Sequence, residues 1–242
     1  VNDDGQTVTL TDGSSATGAI TIPDAIEKGG TSYPVTGVGG RAFYGCDALE
    51  KVTFSGNIDS IGYGAFGNCG ALESVTFSGD VGSIGLYAFE NCTALESVTF
   101  SGDVGSIWDY AFLGCKALES VTFPGDVGNI ENNAFERCSA LTTLTFSGDV
   151  DSIESNAFAG CDALKTIYVP SMSNEKIAMI QAALEDSDLY NVQIEKSAPE
   201  QPSDPDPDTP PVPSTGTPST PSTGTTSTGS AVQQLEAAER PD

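Results

Sequence analysis

Residues 88–107 read Ala-Phe-Glu-Asn-Cys-Thr-Ala-Leu-Glu-Ser-Val-Thr-Phe-Ser-Gly-Asp-Val-Gly-Ser-Ile, and the chain repeats this frame. Cys92 has counterparts at Cys46, Cys69, Cys115, Cys138 and Cys161, each 23 residues from the next. Ala88-Phe89 returns as Ala42-Phe43, Ala65-Phe66, Ala111-Phe112, Ala134-Phe135 and Ala157-Phe158. Leu95 returns at Leu49, Leu72, Leu118, Leu141 and Leu164. Val98-Thr99-Phe100 matches Val52-Thr53-Phe54, Val75-Thr76-Phe77, Val121-Thr122-Phe123 and, with changes, Leu144-Thr145-Phe146 and Ile167-Tyr168-Val169. Self-similarity at a fixed period marks a stacked architecture.

Within one unit, L-x-x-V-T-F carries a short period-two stretch. It predicts a brief strand with Val and Phe inward and Thr outward. A-F-x-x-C-x-A-L spaces Phe, Cys and Leu by three, which suits one turn of helix or 3₁₀ structure on the opposite side. The Gly of S-G-D is expected to free the backbone for a sharp exit from the strand. One unit hides too few apolar side chains to offset the entropy of ordering its own backbone. Stacked units share a core, so the repeat predicts a solenoid whose parallel strands form one sheet.

The consensus A-F-x-x-C-x-x-L-x-x-V-x-F resembles the BspA-like (Treponema-type) leucine-rich repeat. Ile20-Thr21-Ile22-Pro23, Tyr33-Pro34-Val35-Thr36 and Val38 are similar to that family's lead-in. The resemblance spans roughly residues 5–195. It implies an α/β fold class: a right-handed leucine-rich-repeat solenoid, with a parallel β-sheet on the concave face and short helical or 3₁₀ turns on the convex side. It also implies a secreted or surface-attached microbial protein that adheres to host matrix proteins or neighbouring cells. No catalytic motif comes with it. The proline common after the family's strand stands here only at Pro124 and Pro170.

The pattern divides the chain into an N-terminal cap (1–41), the repeats (42–170), a C-terminal cap (171–196), a linker (197–230) and a short tail (231–242). Val8-Thr9-Leu10 and Ile20-Thr21-Ile22 are candidate cap strands. Residues 174–186 read as an amphipathic helix with Ile177, Ile180 and Leu184 on one face, followed by a last strand near Tyr190 to Ile194. Residues 197–230 are dominated by Pro, Ser and Thr, a composition expected to form an extended stalk. No L-P-x-T-G signal occurs, so any wall anchor is expected elsewhere or of another kind.

The 242 residues carry 9 Lys plus Arg against 34 Asp plus Glu, a formal charge of −25. That balance argues against nucleic acid and against polybasic contact with lipid. There is no histidine, which removes His-based acid/base chemistry and Ser/His or Cys/His triads. No apolar run is long enough to insert directly into a bilayer. The chain is therefore read as a non-catalytic binding module. No catalytic residue, no metal site and no cofactor is expected.

Four constellations remain. The cysteine file reads as buried core thiols, because parallel Cβ vectors on stacked units suit disulfides poorly and CxxC pairs are missing. The outward strand positions, Ser74, Thr76, Ser78, Ser97, Thr99, Ser101, Ser120, Thr122 and Thr145, form a hydroxyl carpet. They serve β-propensity and cross-strand pairing, or else a polar ligand such as a glycan or an extended protein segment. A regular Thr array also resembles ice-binding surfaces. The three residues before each Ala-Phe vary and carry Tyr63, Leu86, Tyr87, Trp108 and Tyr110, expected as loop packing or as an interaction patch, weak self-association included. The file Asp80, Asp103, Asp126 and Asp149, with Asn57 ahead of it, reads as turn residues bonding their own backbone, with calcium as the alternative. A sequon stands at Asn91-Cys92-Thr93, with its Cys expected inside. The expected partners are a protein or a glycan. A structural spacer in a surface layer is the alternative role.

Overall fold

The computed structural model describes residues 2 and 4–196; the stalk and tail expected for 197–242 lie outside the described residues. The N-terminal part holds β1 (Val8–Leu10), β2 (Gly18–Ile22), β3 (Ala25–Lys28) and β4 (Thr31–Val38). Each coil that follows supplies two short strands: β5 (Leu49–Phe54) with β6 (Ser60–Ile61), β7 (Ser74–Phe77) with β8 (Val81–Ile84), and β9 (Ser97–Phe100) with β10 (Val104–Ile107). Next come β11 (Ser120–Phe123) with β12 (Val127–Ile130), then β13 (Thr143–Phe146) with β14 (Val150–Ile153). β15 (Thr166–Tyr168), α1 (Asn174–Asp186) and β16 (Gln193–Glu195) follow.

The protein is a parallel-β solenoid, but it has two sheets where the period-two stretch alone pointed to one. The V-T-F strands pair in the order β2-β5-β7-β9-β11-β13-β15-β16. The V-x-x-I segments form a second parallel sheet, β1-β4-β6-β8-β10-β12-β14, to which β3 adds antiparallel to β4. Val and Ile three apart suggested no strand, because alternation would set them on opposite faces. Both are buried all the same: Val104 and Ile107 are 1% and 0% exposed.

The A-F-x-x-C segments form neither an α-helix nor a continuous 3₁₀ helix. Their N–H groups alternate in direction. Ala88, Glu90 and Cys92 donate three residues back, to Gly85, Tyr87 and Phe89. Phe89 and Asn91 donate instead to Ala111 and Leu113 of the next coil, both at 2.7 Å. A helix needs every N–H along its own axis; here half of them join neighbouring coils. The residue before each Cys sits in the left-handed region, at Gly45, Asn68, Asn91, Gly114, Arg137 and Gly160. Five of these six are Gly or Asn, with cheap access to that conformation, and Arg137 is the exception.

The core consists of side chains in register. Phe43, Phe66, Phe89, Phe112, Phe135 and Phe158 stack in one column with centroids 4.8, 5.1, 5.1, 5.0 and 5.9 Å apart. Phe54, Phe77, Phe100, Phe123 and Phe146 form a second. α1 covers the C-terminal end, burying Ile180, Ala183 and Leu184. Ser173 caps it by accepting from Lys176 N. The Lys176 Nζ reaches the Val150 carbonyl at 2.5 Å, occupying an acceptor on the otherwise open side of β14.

Candidate functional site

The cysteines lie in one interior file, all buried and unbridged. Each thiol donates to a carbonyl of the preceding coil: Cys69 to Phe43 at 3.0 Å, Cys92 to Phe66 at 3.1 Å, Cys115 to Phe89 at 3.2 Å. Cys138 and Cys161 repeat this on Phe112 and Phe135. The thiols thus satisfy buried acceptors as well as filling space. Burial pushes the Cys46 thiol up to about 11 and raises Cys115 and Cys138. At neutral pH these three are neutral and poor nucleophiles.

The aspartates do not bond their own backbone. Asp80 Oδ1 accepts from Asp103 N at 3.0 Å, Asp103 from Asp126 N at 2.9 Å, and Asp126 from Asp149 N at 2.8 Å. Asn57 begins the ladder on Asp80 N. Each carboxylate lies across the glycine of the next coil. A methyl group at Gly79, Gly102, Gly125 or Gly148 would overlap the Asn57, Asp80, Asp103 or Asp126 side chain. None of these four glycines has positive φ. The S-G-D glycine is required by the side chain above it, not by a special turn. Among the described residues, no group of three or more His, Cys, Asp or Glu is placed to hold a metal ion. Asn91 of the sequon is exposed and donates to Asn68 Oδ1 at 3.2 Å, while Cys92 is buried.

The hydroxyl positions form two straight files on the first sheet. Thr21, Thr53, Thr76, Thr99, Thr122 and Thr145 are opposite one another in successive strands, and Tyr168 ends the row. Ser74, Ser97 and Ser120 align beside them, continued by Thr143 and Thr166. Ser78 and Ser101 lie just past the strands and are exposed. All nine predicted positions of this face are partly or fully exposed.

The aromatic positions converge on one edge, where the second sheet turns into the A-F-x-x-C segments. Tyr63 packs edge-on against Tyr87 at 5.9 Å, and Tyr87 stacks on Tyr110 at 5.1 Å. Tyr63 and Trp108 are 47% and 51% exposed; Leu86, Tyr87 and Tyr110 are half-buried. Tyr87 and Tyr110 hold left-handed backbone, φ 59° and 57°. The same position in the other coils carries Arg41, Gly64, Asn133 and Asn156, with φ between 56° and 59°. A bulky side chain there costs about 1–2 kcal/mol, a cost that Gly or Asn largely escapes. Trp108 follows Gly39, Gly62 and Gly85 in a column that Glu131 and Glu154 continue; at those three glycines a Cβ would press on the preceding coil's backbone.

Two members of this edge escaped the sequence reading. The Arg41 guanidinium lies 5.3 Å from the Tyr63 ring centroid and 5.6 Å from that of Tyr44, and Tyr44 is 47% exposed. Asn68 Nδ2 donates to the Tyr44 hydroxyl at 2.6 Å. Extending the 23-residue columns back into the cap would have placed Arg41 beneath Gly64 and Tyr87. The Tyr87 phenol is raised by partial burial, with Tyr110, Glu90, Tyr63 and Asp109 adding to the shift. Glu131 is raised by burial and by Asp109 and Glu154 nearby. Carboxylates therefore border the rings.

Residues 25–139 and 83–201 match the BspA type leucine rich repeat region, in six copies. In fold the chain is similar to a leucine-rich repeat protein of T. pallidum, with TM-score 0.52 and 19% identity over 82% of this chain and 95% of that one. It is also similar to a leucine-rich repeat protein from Bacteroides ovatus, with TM-score 0.51 and 28% identity over 70% of this chain and 44% of that one. No curated protein matches the sequence. No helix among the described residues is long and apolar enough to cross a membrane.

Proposed function

The chain belongs to the BspA-type leucine-rich repeat family, and from that premise we propose that it is a non-catalytic protein-binding module displayed outside the cell. Adhesion to matrix or neighbouring-cell proteins is its role in this reading. The repeat supports it. Core positions are nearly invariant from coil to coil, so they encode the stack, and recognition falls to the side chains that vary.

The observation that carries the reading is the Tyr63–Tyr87–Tyr110 row with Trp108. Large rings stand partly in water, two of them on unfavourable backbone, where other coils carry Gly, Asn or Arg. Strain of this kind gathers at functional sites, and Tyr, Trp and Arg dominate binding hot spots. A second reading puts a glycan on the hydroxyl face, favoured by the unbroken Thr21–Thr145 file.

Binding to immobilised extracellular-matrix proteins tests both. Tyr63→Ser with Trp108→Gly is expected to weaken capture at least about tenfold, as loss of two anchors does. Thr76→Arg with Thr99→Arg is expected to leave it within a few-fold. The reverse ranking moves the site to the sheet. A glycan array read with the same two variants separates the second reading.

A further inference from the structure

We infer that the aromatic edge takes a Lys- or Arg-bearing segment of a partner protein, with its cations seated over the tyrosine rings. This rests on the reading of that edge as the binding surface. The chain supplies its own precedent one coil away. Arg41 lies over Tyr63 and Tyr44 at 5.3 and 5.6 Å, within the range of cation–π attraction. Among the described residues no cation lies over Tyr87, Tyr110 or Trp108.

The local charge has the complementary sign. Glu90 follows Tyr87 in the same turn, Asp109 adjoins Tyr110, and Glu131 stands in the Trp108 column one coil on. Between Lys51 and Arg137 the sequence has one basic residue, Lys116. A formal charge of −25 draws basic partners towards this surface. The rings then decide where they settle.

Trp108 is the chain's one tryptophan, so its fluorescence reports on this edge alone. The test titrates the full chain with a short alternating Arg-Ser peptide, a Glu-Ser peptide and neutral oligosaccharides. Any polycation is attracted to so acidic a chain, so the decisive variant keeps every charge: Tyr87→Asn with Tyr110→Asn. Asn133 and Asn156 already hold that backbone elsewhere, so the variant is expected to melt no lower than the parent. A saturable Trp108 change with Arg-Ser, weakened about 5- to 30-fold in the variant, is the expected result, equivalent to two cation–π contacts. Equal affinity in parent and variant overturns the proposal. A response to oligosaccharide and none to Arg-Ser also overturns it and assigns the edge to glycans. If Tyr63→Ser with Trp108→Gly abolishes matrix-protein capture while Arg-Ser fails to bind, the surface reading stands and the basic-segment assignment falls.

Discussion

Gly102 illustrates how much one residue in this chain owes to its neighbour 22 positions back. The Asp80 side chain lies over it, and Asp80 Oδ1 accepts the N–H of Asp103. Gly102→Ala is expected to cost about 1–3 kcal/mol by overpacking, and Asp80→Ala about 1 kcal/mol for the lost bond. The double variant should cost less than the two together, since removing the carboxylate makes room for the methyl. Urea unfolding of the three proteins checks this; strict additivity would show that glycine is needed there for its backbone freedom. The sequence displayed Gly-Asp in every middle coil but could not separate turn geometry from side-chain clearance, because both demand glycine. The thiols follow the same logic. Their burial was legible from the period, whereas their bonds to the preceding Phe carbonyls depend on how far one coil is offset from the next.

At the scale of an element, the phenylalanine columns tie each coil to two others. Phe89 lies between Phe66 and Phe112, 5.1 Å from each, and is fully buried. Phe89→Ala should destabilise by about 3–5 kcal/mol, because two stacked faces lose their partner and coils fixed on both sides cannot close the gap. An unfolding measurement giving under about 1 kcal/mol would mean that the stack relaxes as a unit. The V-T-F strands were readable because β9 and β11 alternate exposed and buried residues. The V-x-x-I strands were not. Their second and third residues are Gly-Ser or Gly-Asn in most coils, leaving an apolar spacing closer to a helix than to a sheet.

For the whole molecule, stability runs along one axis, each coil resting on the next. Excising residues 124–146 removes one period and rejoins Phe123 to Ser147 in the same frame. The shortened protein is expected to keep its β-type circular dichroism and a cooperative thermal transition at a somewhat lower midpoint. Removing only residues 124–135 throws every later coil out of phase and should abolish cooperative melting. Two products that fold equally well would mean that phase between coils is not what holds the stack. Tyr63, Tyr87, Trp108 and Tyr110 precede both excisions, so the in-phase product is expected to keep their edge and the out-of-phase one to lose it with the scaffold.

The sequence by itself determined the period, the inward residues of the first sheet and the interior file of cysteines. These are properties of spacing, and spacing is fixed once the chain is written. Only the tertiary structure decided what lies between coils: the second sheet, the alternating N–H directions of the A-F-x-x-C turns, the Asp-to-backbone ladder and the seating of Arg41 over Tyr44 and Tyr63. Those depend on the offset and rotation of one coil against the next. That relation arises from packing and hydrogen bonding across more than twenty residues of intervening chain, and a single unit, which cannot fold alone, does not contain it.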